Sequence, residues 1–470
     1  MILDCYAGKR IRLWVKEKEK VRKLEFEYRP YFYLHVDACM FLDLIEGLES
    51  RFRLEECRFK TIYGEVEGFR VYCPASKLRR IAELIEIQTK FRARLYNVDV
   101  RLDQRWLAEK GLFPAGFIDE GYESRFNTDF DCPLKIARIS VRGEKGYPAP
   151  NNRIVGARFN GRRIEGDELS ILRDLSSLID SYDPDAILFP HADYWVPIML
   201  RKAKNYGIDF KISRGRLRNL SGKSYQSYGR ILYRQQACLP EGRILIDTTC
   251  FNYREGRLRG ILLASRLTGI PPSYAARFTP GTLVSSYEVY EALRNGIAVP
   301  FRKFDAEGLK SFEELKRADR GGLIFQPEPG VYEDVFQLDF TSMYPSIIVK
   351  YNLSPETISG NGRGFLSWVL EPLLNLRLKT KRMKKLNPEF RGLDSILKWM
   401  LVTCFGYTGY RNARFGRIDV HESITRIGRE ILLKTKEIAE SMGFQVLHGI
   451  VDCLWLKGDG IERLQQVVER

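Results

Sequence analysis

The stretch Asp339-Phe340-Thr341-Ser342-Met343-Tyr344-Pro345-Ser346-Ile347-Ile348 decides how this chain is read. It continues the run Val335-Phe336-Gln337-Leu338, so Asp339 falls at the end of a predicted strand. A carboxylate there, followed by a tight turn and an aromatic, can hold a divalent cation while the next backbone amides approach a triphosphate. Phosphoryl transfer needs such carboxylates, because two metal ions stabilise the entering and leaving oxygens. An isolated Asp at a strand end usually caps the next turn; a ten-residue string of this composition says more.

Two stretches further along belong with it. Between Glu371 and Phe390 stand Arg377, Lys379, Lys381, Arg382, Lys384 and Lys385 against two Glu, and Leu397-Lys398-Trp399-Met400 then leads to Phe405-Gly406-Tyr407-Thr408-Gly409-Tyr410. Cations on a helical hairpin can grip a triphosphate, and Gly406 lets a base pair approach the backbone. A charged helix standing alone would read as a solvated face. Last comes Val446-Leu447-His448-Gly449-Ile450-Val451-Asp452-Cys453-Leu454-Trp455, an apolar hairpin with one acid at its apex. A lone Asp at a turn tip is ordinary turn chemistry. Its value depends on a partner, and Asp339 is the candidate.

The rest of the chain sets the frame. Its 470 residues are too many for one ordinary core and predict roughly two to four domains. Apolar residues make up 44% and charged residues 29%, a globular balance. No run of about eighteen uncharged apolar residues occurs, so no bilayer span is expected. The start Met1-Ile2-Leu3-Asp4-Cys5 lacks the features of a signal peptide, so a cytoplasmic location is expected. Nine scattered cysteines without a CxxC pair, and only four histidines, argue against structural zinc or iron–sulfur and for small buried hydrophobes in a reducing compartment. Seventy-six Lys and Arg against 60 Asp and Glu leave +16, which favours a polyanionic partner, most commonly nucleic acid.

Along the chain, strands are predicted at 10–15 and 31–34, a helix near 38–53, then another strand and helix to about residue 90, a small α+β module. From 134 to about 270 the pattern is α/β: strands at 136–141, 154–159, 186–189 and 244–246, helices at 167–182 and 196–206. Residues 271–330 are Gly- and Pro-rich and read as connecting structure with one helix. Helices follow at 365–385, 392–405 and 423–442, with a strand–turn–strand at 444–457.

The three stretches, in this order, are where a resemblance declares itself. The first resembles motif A of the family B DNA polymerases, Asp-x-x-Ser-Leu-Tyr-Pro-Ser-Ile, with Met343 in place of Leu. The second is similar to motif B with its preceding fingers helix, the third to motif C, Tyr-Gly-Asp-Thr-Asp-Ser. Met1–Asp4, Arg29-Pro30-Tyr31-Phe32-Tyr33 and Ala108-Glu109-Lys110-Gly111-Leu112 resemble the archaeal enzymes, so the similarity runs over nearly the whole chain. It implies a mixed α/β and α+β multidomain architecture. An N-terminal domain (1–130) would precede an RNase H-like exonuclease-type domain (131–268). Connection and first palm part (269–363), helical fingers (364–408) and second palm part with antiparallel sheet (409–470) would follow. Carried over residue by residue, Asp339 and Asp452 would be the catalytic metal ligands for two Mg²⁺ ions, with a dNTP as substrate. Ser342 and Met343 would lie at the nucleotide, and Tyr344 would pack under its sugar and exclude a 2′-hydroxyl. Arg377 and Lys398 would hold triphosphate oxygens, and Gly406 would face the nascent pair. Lys379, Lys381, Arg382, Tyr407 and Tyr410 would contact primer–template DNA.

The departures from the family are specific. Ile450 stands in place of motif C's first acid and His448 in place of its Tyr; Val402, Thr403 and Phe405 replace the Asn, Ser and Tyr of motif B. Loss of a supporting carboxylate predicts a rate loss of about 100-fold or more. In the exonuclease-type region Ser140 and Arg142 stand where the first motif has its acids. Trp195 falls on the second motif's Asp, although Pro184-Asp185-Ala186-Ile187 matches, and the third motif is absent between Asp247 and Leu263–Gly269. These replacements predict no proofreading. Only 18 residues follow Asp452, so no thumb is expected, unless a separate thumb-bearing subunit or sliding clamp supplies grip on DNA; without one, DNA binding would be weak and strongly salt-dependent. Two readings stand: a weak, non-proofreading template-directed polymerase used at damaged or unusual templates, or a catalytically inactive DNA-binding scaffold in replication or repair. An RNA-directed role has no feature in its favour, since Tyr344 points to deoxynucleotides. Uracil sensing by the N-terminal block stays open.

Overall fold

In the computed structural model the described residues are 1–37, 41–118, 124–130, 132–227, 230–303, 309–318, 321–358 and 360–469. Asp339 closes one strand of a four-stranded antiparallel sheet. Its strands run in the order Ile324–Phe325, Gln445–Ile450, Cys453–Lys457, Val335–Asp339. Successive side chains of a strand point to opposite faces. Phe336, Leu338, Leu454 and Leu456 therefore share one face, packed with Phe444 and with Leu432 and Ala439 of the helix Ile418–Ser441. Gln337, Asp339, Cys453 and Trp455 take the other, in the register Gln337↔Trp455 and Asp339↔Cys453. Burying one face fixes the register, because a slip of one residue would turn Asp339 into the core.

The helices Pro280–Arg294, Met343–Lys350, Phe365–Leu386 and Phe390–Thr408 share the largest apolar core with the N-terminal sheet and the helix Phe251–Thr268. Where Phe251–Thr268 crosses Phe390–Thr408, Gly256 and Gly260 meet Gly392 and Ile396. A Cβ on Gly392 would lie 2.3 Å from the Gly256 carbonyl oxygen, so this backbone contact requires glycine. The crossing fixes the helix that carries Lys398 and Gly406.

Upstream, a three-stranded antiparallel sheet (Ile2–Ala7, Ile11–Glu17, Lys20–Phe26) neighbours a four-stranded one ordered Arg53–Thr61, Gly64–Tyr72, Tyr31–His35, Arg94–Tyr96. A five-stranded mixed sheet follows, ordered Arg162–Ile164, Ile154–Phe159, Ile136–Gly143, Ala186–Phe189, Ile244–Asp247, with its last three strands parallel. Buried ion pairs tie it to the N-terminal sheet. Lys16 pairs with Asp185, which Arg214 also bonds at 3.1 Å; Arg218, on the separate strand Leu217–Leu220, reaches Asp4 at 2.5 Å. Asp185 is thus a buried structural acid.

Several expected elements differ. The single strand expected before residue 90 is a hairpin of two nine-residue strands, because Gly64 at φ +118 permits the tight reversal in an unbroken alternating run. Among the described residues, 271–330 hold three helices, Pro272–Ala275, Pro280–Arg294 and Phe312–Ala318, rather than one. Pro272 and Pro280 sit at helix starts, where a missing N–H costs nothing. The helix near 38–53 covers Leu42–Glu49, and residues 38–40 lie outside the described residues. The strand pairs Leu217–Leu220 with Ala237–Pro240 and Lys223–Ser227 with Arg230–Arg234 had no counterpart in the sequence reading.

Glu288, on the helix Pro280–Arg294, is 6% exposed, and burial pushes its carboxyl up to about 8. A raised acid stabilises the fold below its ordinary value near 4.5 and loses that contribution as pH rises through about 8. Glu288→Gln is therefore expected to gain stability over the parent by about 1 kcal/mol per pH unit between roughly pH 5 and 8. Denaturant melts across that range would show it; parallel pH profiles would refute it.

Candidate active site

The turn joining Gln445–Ile450 to Cys453–Lys457 is Val451-Asp452. Val451 holds φ +54, a conformation in which a β-branched residue is strained by about 1–3 kcal/mol. Neighbours brace it. The Val451 N–H donates to the Leu323 carbonyl at 2.8 Å, and the Phe340 N–H donates to the Asp452 carbonyl at 2.9 Å. The second bond joins the residue after Asp339 to Asp452 itself. One carboxylate, one thiol and a second carboxylate thereby converge: ligand atoms of Asp339, Asp452 and Cys453 all lie within 4.8 Å of one another. Among the described residues no other such group of three occurs. Asp339 is exposed and Asp452 half-buried. Burial, and then the charge of Asp339, hold the Asp452 carboxyl above its ordinary value. Two carboxylates repelling in this way are what a bound cation relieves. The donor set suits a divalent metal.

After Asp339 the chain turns at Ser342, φ +55, and enters the helix Met343–Lys350. This left-handed residue precedes the first free amides of the helix, which face any anion placed there. The helix turns Met343 into the core, 5% exposed, so its side chain is not at the site. Tyr344 stays half-buried and packs on Phe405 with ring centroids 4.3 Å apart; Phe405 stacks in turn on His421 at 4.2 Å. Burial, with Asp452 nearby, raises the Tyr344 phenol above its usual value. Phe405 thus supports Tyr344 by ring contact.

The cations divide differently from the sequence reading. Arg377, expected at the triphosphate, is 6% exposed and bonded to Asp394, which Lys384 also reaches at 2.6 Å; burial lowers the Arg377 pKa. A buried guanidinium needs a carboxylate, and Asp394 lies on the facing helix. Lys381, expected at DNA, instead donates to the Thr341 hydroxyl at 2.8 Å, within the turn after Asp339. Lys398, Val402 and Gly406 are exposed at i, i+4 and i+8 of one helix. A Cβ at Gly406 would meet no protein atom within 4 Å, so nothing in the chain itself demands glycine there. Lys379, Arg382 and Tyr410 are exposed, whereas Tyr407 packs against Gly281. Ile450 is 37% exposed and pairs with exposed Ile324. His448 contacts the Phe325 carbonyl through Nδ1 at 2.5 Å and packs on Trp455.

In the five-stranded sheet the acids serve the fold. Asp247 accepts from the backbone N–H groups of His191 and Asp193 at 3.0 and 3.1 Å and from Thr249. Asp193 pairs with Arg277 at 2.5 Å, while Trp195 is 4% exposed.

Residues 290–364 and 359–454 match the sequence model of DNA polymerase family B. The chain is 36% identical over 225 residues to DNA polymerase 2 of Saccharolobus solfataricus, a match spanning 45% of this chain and 35% of that protein. It is 24% identical over 569 residues to a DNA polymerase of Archaeoglobus fulgidus, spanning 98% of this chain and 70% of the relative. The solved family B DNA polymerase of Pyrobaculum calidifontis superposes with a TM-score of 0.74 at 21% identity, covering all of this chain and 75% of that one. The chain is family B DNA polymerase-like, a mixed α/β multidomain protein with the fold of that structure. Among the described residues no helix is long and apolar enough to cross a membrane.

Removing Asp394 strands the Arg377 charge in the core. Asp394→Ala is expected to cost about 3 kcal/mol of stability, whereas Lys381→Ala leaves the melting curve nearly unchanged. Chemical denaturation of the two variants checks this; equal losses would contradict the assignment.

Proposed function

We propose that the chain adds deoxynucleotides to a primer 3′ end under the direction of a template, slowly and without proofreading. The observation that carries this reading is the convergence of Asp339 and Asp452 at the end of one sheet. DNA polymerases of family B use divalent metal and dNTP on primer–template DNA, and here Asp339 and Asp452 would hold two Mg²⁺ ions. Bound there, the ions would stabilise the attacking 3′ oxygen and the leaving pyrophosphate. The chain's own groups do the rest. Lys381, beside the Ser342 turn, and exposed Lys398 neutralise the triphosphate. Tyr344, backed by Phe405, sits under the sugar and leaves no room for a 2′-hydroxyl. The open surface at Gly406 admits the nascent base pair, and Lys379, Arg382 and Tyr410 are available to the DNA strands. Ile450 supplies no charge, which favours a low rate.

Ser140, Arg142 and Trp195 in place of acids, with Asp193 and Asp247 spent on Arg277 and backbone amides, support the absence of 3′–5′ exonuclease. Grip on DNA would come from the basic surface and from a thumb-bearing subunit or clamp. The exposed Val402 and Ile450 favour a second reading, an inactive DNA-binding scaffold.

Primer extension with Mg²⁺ separates the two. The parent is expected to extend slowly, Asp339→Ala to lose extension while keeping primer–template binding, and neither to shorten the primer. Binding without extension in the parent, with or without a thumb-bearing partner, would leave only the scaffold.

A further inference from the structure

In the sequence Cys453 is one of nine scattered cysteines. The fold singles it out. It is the direct cross-strand partner of Asp339, so the two side chains leave the sheet on the same face. It also follows Asp452 at the strained turn. Its thiol is 7% exposed, bonds the Ile450 carbonyl at 3.4 Å and lies near Gln337, and its sulfur is within 4.8 Å of both carboxylates. Oxygen and sulfur ligands on one first-row ion stand at most about 4.5 Å apart, the sum of two bond lengths. The three donors, within 4.8 Å of one another, would have to close by at most about 0.3 Å to share one cation.

We infer that Cys453 is a third metal ligand, which biases the Asp339–Asp452 site toward thiophilic divalent ions. Two carboxylates alone are a hard oxygen set suited to Mg²⁺. Adding sulfur favours Zn²⁺, Cd²⁺ and, less strongly, Mn²⁺. The sulfur–metal bond forms as the thiol proton passes to solvent and no electron is transferred, so no further reactant is needed. The polymerase reading then gains a property of its own. Mg²⁺ would be displaced at this site by softer ions that bind there more tightly, making the enzyme's metal choice a consequence of one side chain. This inference rests on the proposed reading of the carboxylate pair as a metal site.

The test is a Cd²⁺ titration of the full chain followed by its ultraviolet sulfur-to-metal charge-transfer band, with Mg²⁺ competition. The parent is expected to show a saturable band. Cys453→Ser should weaken Cd²⁺ binding about ten-fold or more and leave Mg²⁺ affinity within about two-fold. Asp339→Asn should weaken the same band, because the ion is shared, and it serves as the second variant should Cys453→Ser not fold. No band in the parent, or a band unchanged in either variant, overturns the inference. Primer extension on the same preparations separates this result from the proposed function. A band without extension removes the polymerase activity and leaves the thiol ligand; extension with a band indifferent to Cys453 does the reverse.

Discussion

The antiparallel pairing of Val335–Asp339 with Cys453–Lys457 is the contact on which the rest depends. It joins two segments separated by the whole helical insertion, and it puts Asp339, Asp452 and Cys453 at one end of one sheet. The register is held from behind by Leu338, Leu454 and Leu456 against Phe444 and the helix Ile418–Ser441. It is held from the side by the Phe340–Asp452 backbone bond. The strain at Val451 and Ser342 is tolerated because these contacts leave the turns no alternative.

From that sheet end the helices distribute charge by burial. One cation in the basic run, Arg377, goes inward and is matched by Asp394, which Lys384 also reaches; another, Lys381, reaches the turn beside Asp339; Lys379, Arg382 and Lys385 stay in solvent. A run of like charges on a helix cannot all serve one ligand, since residues three or four apart share a face and the others do not. The five-stranded sheet shows the same principle with opposite sign. Its neighbouring acids are turned to pairing with Arg277, Lys16 and Arg214, and Trp195 is buried beside them.

Much of this was legible in the sequence. Strands such as 154–159 and 186–189 alternate or run apolar within short limits, and the structure has them at those bounds. The string from Asp339 to Ile348 and the apex at Asp452 identified both carboxylates. What the sequence hid depends on partners far away in the chain. Nothing local to Arg377 reveals Asp394, and nothing local to Lys381 reveals Thr341. Nothing in a scatter of nine cysteines marks Cys453 as Asp339's neighbour; only the register does. The crossing at Gly256 and Gly392 was hidden for the same reason, because a glycine inside a helix signals weakness until its contact is known.

The central claim is that Asp339 and Asp452 act as a unit in template-directed synthesis. Single-turnover incorporation on a primer–template, with each of the four dNTPs offered separately to the parent and to Asp452→Asn, tests it most directly. The account requires the parent to add the complementary nucleotide in preference to the other three and Asp452→Asn to add none detectably. Incorporation blind to the template base, or undiminished in Asp452→Asn, would contradict it.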